Sequence, residues 1–350
     1  MQAILGVLFH SLGGVAAGSF YMPYNKVNGW AWESYWIVGG LMSWLIVPPL
    51  AAYLTVPGFL DIILAGSSSI VWFTFLMGLL WGVGGLSYGL GVRYLGMSLG
   101  NSVVLGFCAA FGALVPSVYY NFYPEEGKTS FSEMFASSGG RIVLLGVMVC
   151  LLGIVISGKA GMMKEGELSE EEKKKTVSEF NLVKGLVVAT LSGILSAFFS
   201  FGIEAGKPLA DAAIVAGYDH LYANNVTFVV ILWGGLVTNL FWTTILSIKY
   251  KSYTDFTNKN TPIRNNILFS ALAGTIWFLQ FFFYGMGESK LGSGASSWIL
   301  HMSTIILTAN FWGIYRKEWH GVAKKTKWTI TAGIAVILLS VLLVGVGNSL

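Results

Sequence analysis

Two histidines stand in apolar surroundings in this chain, His10 in LGVLFHSLGG and His301 in SSWILHMSTI. An unperturbed imidazole titrates near pH ~6.5, so it can load and release a proton close to neutrality. Glu33, in WAWESYW, is the next acid within reach of such a role. Aromatic and amide side chains form a second set. Trp81 and Trp277 lie 196 residues apart, as do Tyr88 and Tyr284, with Gln280 one turn from Trp277 and with Asn101 and Trp298 further along the chain. Aromatic faces stack on the C–H faces of a sugar, and amides or imidazoles pair with its hydroxyls. Leaving one buried hydroxyl unpaired costs about 1–3 kcal/mol. No Lys or Arg lies in the middle of an apolar stretch, so a phosphate or carboxylate would find no cationic partner there. The set suits a neutral polar ligand. Glu204 with Lys207, and Glu288 with Lys290, read as interfacial charges, and Arg93 as an anchor. For any single Trp or His, helix packing is the competing explanation.

These residues need elements to hold them, and the composition says which. Of 350 residues 55% are hydrophobic and 11% charged, against roughly 25% charged in soluble domains. Ten apolar stretches are expected to cross a membrane, at 3–22, 33–54, 68–92, 98–121, 140–161, 182–204, 225–248, 267–287, 294–315 and 327–347. About 20 residues at ~1.5 Å each span a ~30 Å core. Lipid cannot satisfy backbone polar groups, so an all-α integral membrane protein follows. The first stretch lacks a basic leader, its first basic residue being Lys26, and reads as a retained span. Seventeen of the 21 Lys and Arg fall in the loops after odd-numbered spans or at the span ends that border them. Basic loops face the cytoplasm, which puts both termini outside.

The chain also repeats itself. YGLGVRYLGM (88–97) aligns with YGMGESKLGS (284–293) at the 196-residue spacing, and SFYMPYNK (19–26) with SFGIEAGK (200–207) at 181. Gly146 and Gly158 match Gly333 and Gly345 more weakly. The polar stretch 162–181 reads as a cytoplasmic connector dividing the spans five and five, into halves 1–161 and 182–350. Five is odd, so the second half starts on the opposite side of the membrane: a 5+5 inverted repeat, the plan of many secondary transporters. The 44 glycines suit close helix packing in lipid. No GxxxxGK[ST] loop is present, so any transport draws on a gradient or is passive. The two cysteines, Cys108 and Cys150, suggest neither a disulfide nor a metal site. No cofactor and no nucleic-acid partner is expected.

The phrases FYMPYNKVNGWAWESYW, GGLMSWLIVP, YGLGVRYLGMSLG, GGRIVLLGVMV, EFNLVKGLV, AGKP, WFLQFFFYGMG, SWILHMS and KEW run in order along the chain. In them the chain resembles the bacterial L-rhamnose–proton symporters, within the drug/metabolite transporter superfamily. The resemblance implies the ten-helix drug/metabolite transporter fold, an inner-membrane location with external termini, and import of a 6-deoxyhexose with a proton. It includes positions matching His10, Glu33, Lys207, Gln280 and His301. Glu204 and Glu288 depart from the family phrases, where an amide and a histidine stand, and LGSGASSW (291–298) is richer in Gly and Ser. The substrate expected is therefore L-rhamnose or a close neutral relative, with protons and membrane lipid as the other partners. An exporter or exchanger of another neutral metabolite is the alternative within the class. A membrane enzyme on lipid-linked sugars would need a carboxylate cluster or metal site that the sequence lacks, and a scaffold would have no use for an inverted repeat.

Overall fold

A computed structural model describes residues 2–122, 124, 130–169, 171, 177, 179–291 and 294–350. Parts of the expected connector (170, 172–176 and 178) and the last two residues of the second repeated phrase (292 and 293) lie outside the described residues. The described residues hold helices and turns and no strand. In chain order the helices are α1 (Gln2–Ser19), α2 (Tyr21–Tyr24), α3 (Trp32–Gly40), α4 (Val47–Thr55), α5 (Phe59–Ala65), α6 (Ser68–Phe122), α7 (Phe131–Ala136), α8 (Ser138–Glu167), α9 (Leu182–Ser196), α10 (Phe198–Ala205), α11 (Lys207–Val215), α12 (Asn224–Tyr250), α13 (Ile263–Leu291), α14 (Gly294–Tyr315) and α15 (Lys324–Ser349).

Among the described residues, eight helical segments are long and apolar enough to cross a membrane: Ile4–Tyr24, Trp32–Thr55, Ser68–Gly112, Ser138–Glu167, Leu182–Val215, His220–Tyr250, Ile263–Leu291 and Lys324–Gly347. The expected stretches 68–92 and 98–121 both fall within α6, whose only non-helical residue is Gly96 (φ 84°, ψ 172°). That conformation is open to glycine and strained for any residue with a Cβ. The stretch 294–315 is α14, not one of the eight, because His301, Ser303, Thr304, Thr308 and Asn310 dilute its apolarity.

The helices group into two compact units. The first comprises residues 1–83 and 198–292. Within it α1 runs antiparallel to α13: Gly6 meets Leu291 and Gly287, and His10 meets Gly287. The first part of α6 runs parallel to α12. A Cβ on Gly78 would fall 1.9 Å from the Ile231 carbonyl oxygen, and one on Gly234 would fall 2.2 Å from that of Phe75. Backbones this close leave no room for a side chain, which is the use of small residues in lipid. Polar side chains tie the same helices: Thr238 Oγ1 donates to the Leu79 carbonyl at 2.8 Å, and Asn239 Nδ2 to that of Gly82 at 3.2 Å.

The second unit comprises residues 84–197 and 293–350. Its main contact is α8 against α15, antiparallel along a seam of small residues spaced by seven. Gly139, Gly146 and Gly153 lie against Gly347, Ser340 and Gly333. A seven-residue period keeps one face of a helix turned to its partner. Also in this unit, α9 packs antiparallel on α6, Gly91 against Ala189 and Gly185 against Leu95. At Gly96 the helix restarts, and its first N–H groups need acceptors. The buried carboxylate of Glu318 supplies them, accepting from Met97 N at 3.0 Å and Ser98 N at 3.1 Å. The Lys164 ammonium, on a side chain 1% exposed, lies 5.2 Å from the Phe180 ring centroid and 5.0 Å from that of Trp319. Aromatic faces attract a cation electrostatically, which offsets part of its burial cost.

Candidate functional site

The widest concentration of unusual side chains lies in the first unit. It begins with a local irregularity between α3 and α4. Residues Leu41–Ile46 form a π-helical turn, closed by a bond from Val47 N to the Met42 carbonyl five residues back. Pro48 and Pro49 follow. Proline has no N–H, so carbonyls four residues upstream lose their usual donors and the helix loosens to the wider bond. Trp44 sits in this turn and is 3% exposed.

Six rings then close a circuit. Phe20 lies 4.2 Å from Trp277, Trp277 lies 6.2 Å from Phe281, and Phe281 lies 5.7 Å from Trp81. Trp81 lies 6.4 Å from Trp44, Trp44 lies 6.5 Å from Trp36, and Trp36 lies 6.5 Å from Phe20, all between ring centroids. The circuit draws on the junction between α1 and α2, the α3–α4 segment, α6 and α13. Phe199 of α10 backs it, stacked on Phe281 at 4.4 Å. Trp36 is fixed from behind, its Nε1 donating to Asn239 Oδ1 at 3.1 Å. Trp44 Nε1 and Gln280 Nε2 are buried here with no hydrogen-bond acceptor among the described residues, as are Trp30, Trp32 and Trp233 Nε1 in the same unit. Buried donors are almost always paired. A hydroxylated ligand would satisfy the first two, and the aromatic faces would take its apolar sides.

The expected site residues divide between the units. Trp81, Trp277, Gln280, Tyr284, His10 and Glu33 belong to the first. Phe281 joins both Trp81 and Trp277, so the repeat-related tryptophans share one neighbour. Tyr284 meets the His10 ring edge-on at 5.2 Å. Glu33 stands apart from the rings. Its buried carboxylate accepts from Ser252 Oγ at 2.6 Å, while neighbouring Ser34 Oγ donates to Asp255 at 2.7 Å, pinning the start of α3 to the turn after α12. Tyr88, Asn101, Trp298 and His301 belong to the second unit. There the Tyr88 hydroxyl donates to Asn101 Oδ1, and Asn101 Nδ2 donates to the Met97 carbonyl at 2.6 Å. Those groups serve each other. His301 is buried on α14 and Trp298 is half-buried one turn earlier.

Sequence reasoning missed Phe20, Trp36, Trp44 and Phe281. Phe281 was within reach, one turn beyond Trp277 on the same helix face. The Pro48–Pro49 pair signalled a break near Trp44. Among the described residues no group of three His, Cys, Asp or Glu could hold a metal.

Comparison with known proteins covers the whole length. The family model described as L-rhamnose-proton symport protein matches residues 1–349. L-rhamnose-proton symporters of Yersinia pestis (strain Pestoides F) and Yersinia pseudotuberculosis (serotype O:3) are each 38% identical over 349 residues, covering 98% of this chain and 98% of theirs. That of Shigella dysenteriae serotype 1 is 37% identical over 348 residues, covering 98% of this chain and 97% of its own.

Proposed function

The chain belongs to the L-rhamnose-proton symport protein family, and from that premise we propose that it imports L-rhamnose with a proton across a bacterial inner membrane by alternating access. It is a multi-pass transporter and not an enzyme. The observation that carries the sugar reading is the circuit of aromatic rings with two buried, unsatisfied donors. We place L-rhamnose on Trp81 and Trp277, with Gln280 and Tyr284 as hydrogen-bonding partners. A neutral sugar needs no cation there, and none is provided by the circuit.

Ten crossings arranged as a 5+5 inverted repeat, with both termini outside, complete the proposal. The break at Gly96 supports counting α6 as two segments, and α14, at 22 residues, is long enough to span. Helix contacts support the repeat. The spacings 181 and 196 carry the His10–Gly287 contact onto Leu191 and Gly91, two residues from the Gly91–Ala189 contact of the second unit. Export or exchange of another neutral metabolite has no observation in its favour.

We assign proton coupling to His10 and His301, with Glu33 in reserve. The three can be separated in proteoliposomes by measuring L-rhamnose exchange and gradient-driven accumulation on the same preparation. A proton carrier replaced by Gln should keep exchange and lose accumulation, whereas a packing histidine should keep or lose both together. Normal accumulation by His10→Gln and His301→Gln, with loss in Glu33→Gln, would move the coupling site to α3.

A further inference from the structure

The end of α14, the loop 316–323 and the first turn of α15 form one continuous stretch in the second unit, and its charges point two ways. Between Phe311 and Trp328 the only acid is Glu318. It faces inward: it is 3% exposed, and its two carboxylate oxygens accept from Met97 N and Ser98 N. Glu167, at the end of α8, is committed to the same stretch. Its Oε2 accepts from Ala323 N at 2.7 Å and its Oε1 from Thr326 Oγ1 at 2.6 Å. The cations face the other way. Arg316, Lys317, Lys324, Lys325 and Lys327 are all exposed. Among the described residues none of them enters an ion pair, and none of their side chains donates a hydrogen bond.

Large apolar side chains flank these cations and are exposed too. At the end of α14 Ile314 is 73% exposed and Tyr315 68%, with the Phe311 ring stacked on Tyr315 at 6.5 Å. On the first turn of α15 Trp328 is 73% exposed. The α15 segment is long and apolar enough to cross a membrane from Lys324 to Gly347, so Trp328 and the lysines stand at a membrane boundary. Trp and Tyr favour the headgroup level of a bilayer. Clustered Lys and Arg beside a span attract anionic headgroups. The Glu318 and Glu167 bonds hold the loop from its inner side, so the cations sit on a fixed frame and little ordering has to accompany binding. A membrane lipid with a net negative headgroup meets both parts of this surface, its phosphate the cations and its acyl chains the apolar side chains.

We infer that the loop 316–323 and the start of α15 form a binding site for an anionic phospholipid, with Arg316, Lys317, Lys324, Lys325 and Lys327 around its phosphate. Tyr315 and Trp328 mark the depth at which the headgroup gives way to the acyl chains.

The test reads Trp328 in the full chain, reconstituted in phosphatidylcholine vesicles. The vesicles carry a low mole fraction of either brominated phosphatidylglycerol or brominated phosphatidylcholine. The emission lost in Trp328→Phe isolates the contribution of that ring. Brominated phosphatidylglycerol should quench it at least about fivefold more efficiently than brominated phosphatidylcholine, the preference expected from even one basic residue near an anionic surface. In ~1 M salt, where charges are screened beyond ~3 Å, the preference should shrink toward none. Replacing Lys324, Lys325 and Lys327 together by Gln leaves the Glu318 and Glu167 bonds in place and should bring the two lipids level. Equal quenching in wild type overturns the inference. A preference that the triple variant retains overturns it as well, since the lysines would then only orient the span. Should the triple variant not reconstitute, wild type in high salt decides, and an undiminished preference there overturns the inference. The measurement reads lipid contact and not transport, so it stands apart from the symport reading.

Discussion

Replacing Trp277 with Ala should weaken L-rhamnose binding by about 10- to 100-fold, and replacing Trp81 with Ala should do the same. Trp277 joins Phe20 to Phe281, and Trp81 joins Phe281 to Trp44, so either loss opens the circuit. Burying a large side chain against a partner is worth about 1.5–3 kcal/mol, and each ~1.4 kcal/mol is tenfold in affinity. Truncating a core aromatic also costs fold stability, about 3–5 kcal/mol in a well-packed site. The comparison that separates the two is Trp277→Phe, which keeps a ring. It should recover most of the binding, while yield and thermal stability in detergent report the structural part. Unaltered transport affinity in both Ala variants, at normal yield, would remove the tryptophans from the site.

Gly153→Leu should leave little folded protein, whereas Gly158→Leu should be tolerated. The two glycines lie five residues apart on α8 and are indistinguishable by composition. A Cβ on Gly153 would fall 2.7 Å from Ile337 Cγ1, 2.9 Å from Ile337 N and 3.1 Å from the Gly333 carbonyl oxygen, while a Cβ on Gly158 meets nothing within 4 Å. Two of the three atoms facing Gly153 are backbone and cannot swing away. A single overpacked site costs about 1–3 kcal/mol. A leucine here would force α8 and α15 apart along the whole small-residue seam, whose packing is what holds the pair in lipid. Size-exclusion profiles and melting temperatures of the two variants check this. Equal behaviour would mean that the seam is not the stabilising contact of the second unit.

Helices were legible in the sequence because apolar runs of the right length admit no other structure in lipid. Their number differs between the two readings, ten stretches in the sequence against eight segments among the described residues. Leu95 and Met97 are both helical, so a single glycine separates two stretches that composition treats as distinct. The candidate site was legible only where the chain repeats itself. Trp81 and Trp277 were marked by the shared spacing, and Gln280 by being an amide in an apolar run. Phe20, Trp36, Trp44 and Phe281 carried no contrast, because aromatic residues are ordinary in membrane spans. Tyr88 and Asn101 were singled out one at a time, so their use of each other's hydrogen-bonding groups could not be seen.

Coupled import has a definite energetic signature. A proton moving with a neutral sugar carries one charge inward, and a membrane potential of ~100 mV is worth ~2.3 kcal/mol per charge. That is enough for about 50-fold accumulation of the sugar at ~1.4 kcal/mol per decade. The most direct measurement is therefore made with no gradient imposed. L-rhamnose is added to proteoliposomes in a weakly buffered medium while the external pH is followed. Symport predicts a rise in external pH on sugar addition that collapses with a protonophore. Entry of L-rhamnose without any change in external pH would contradict it.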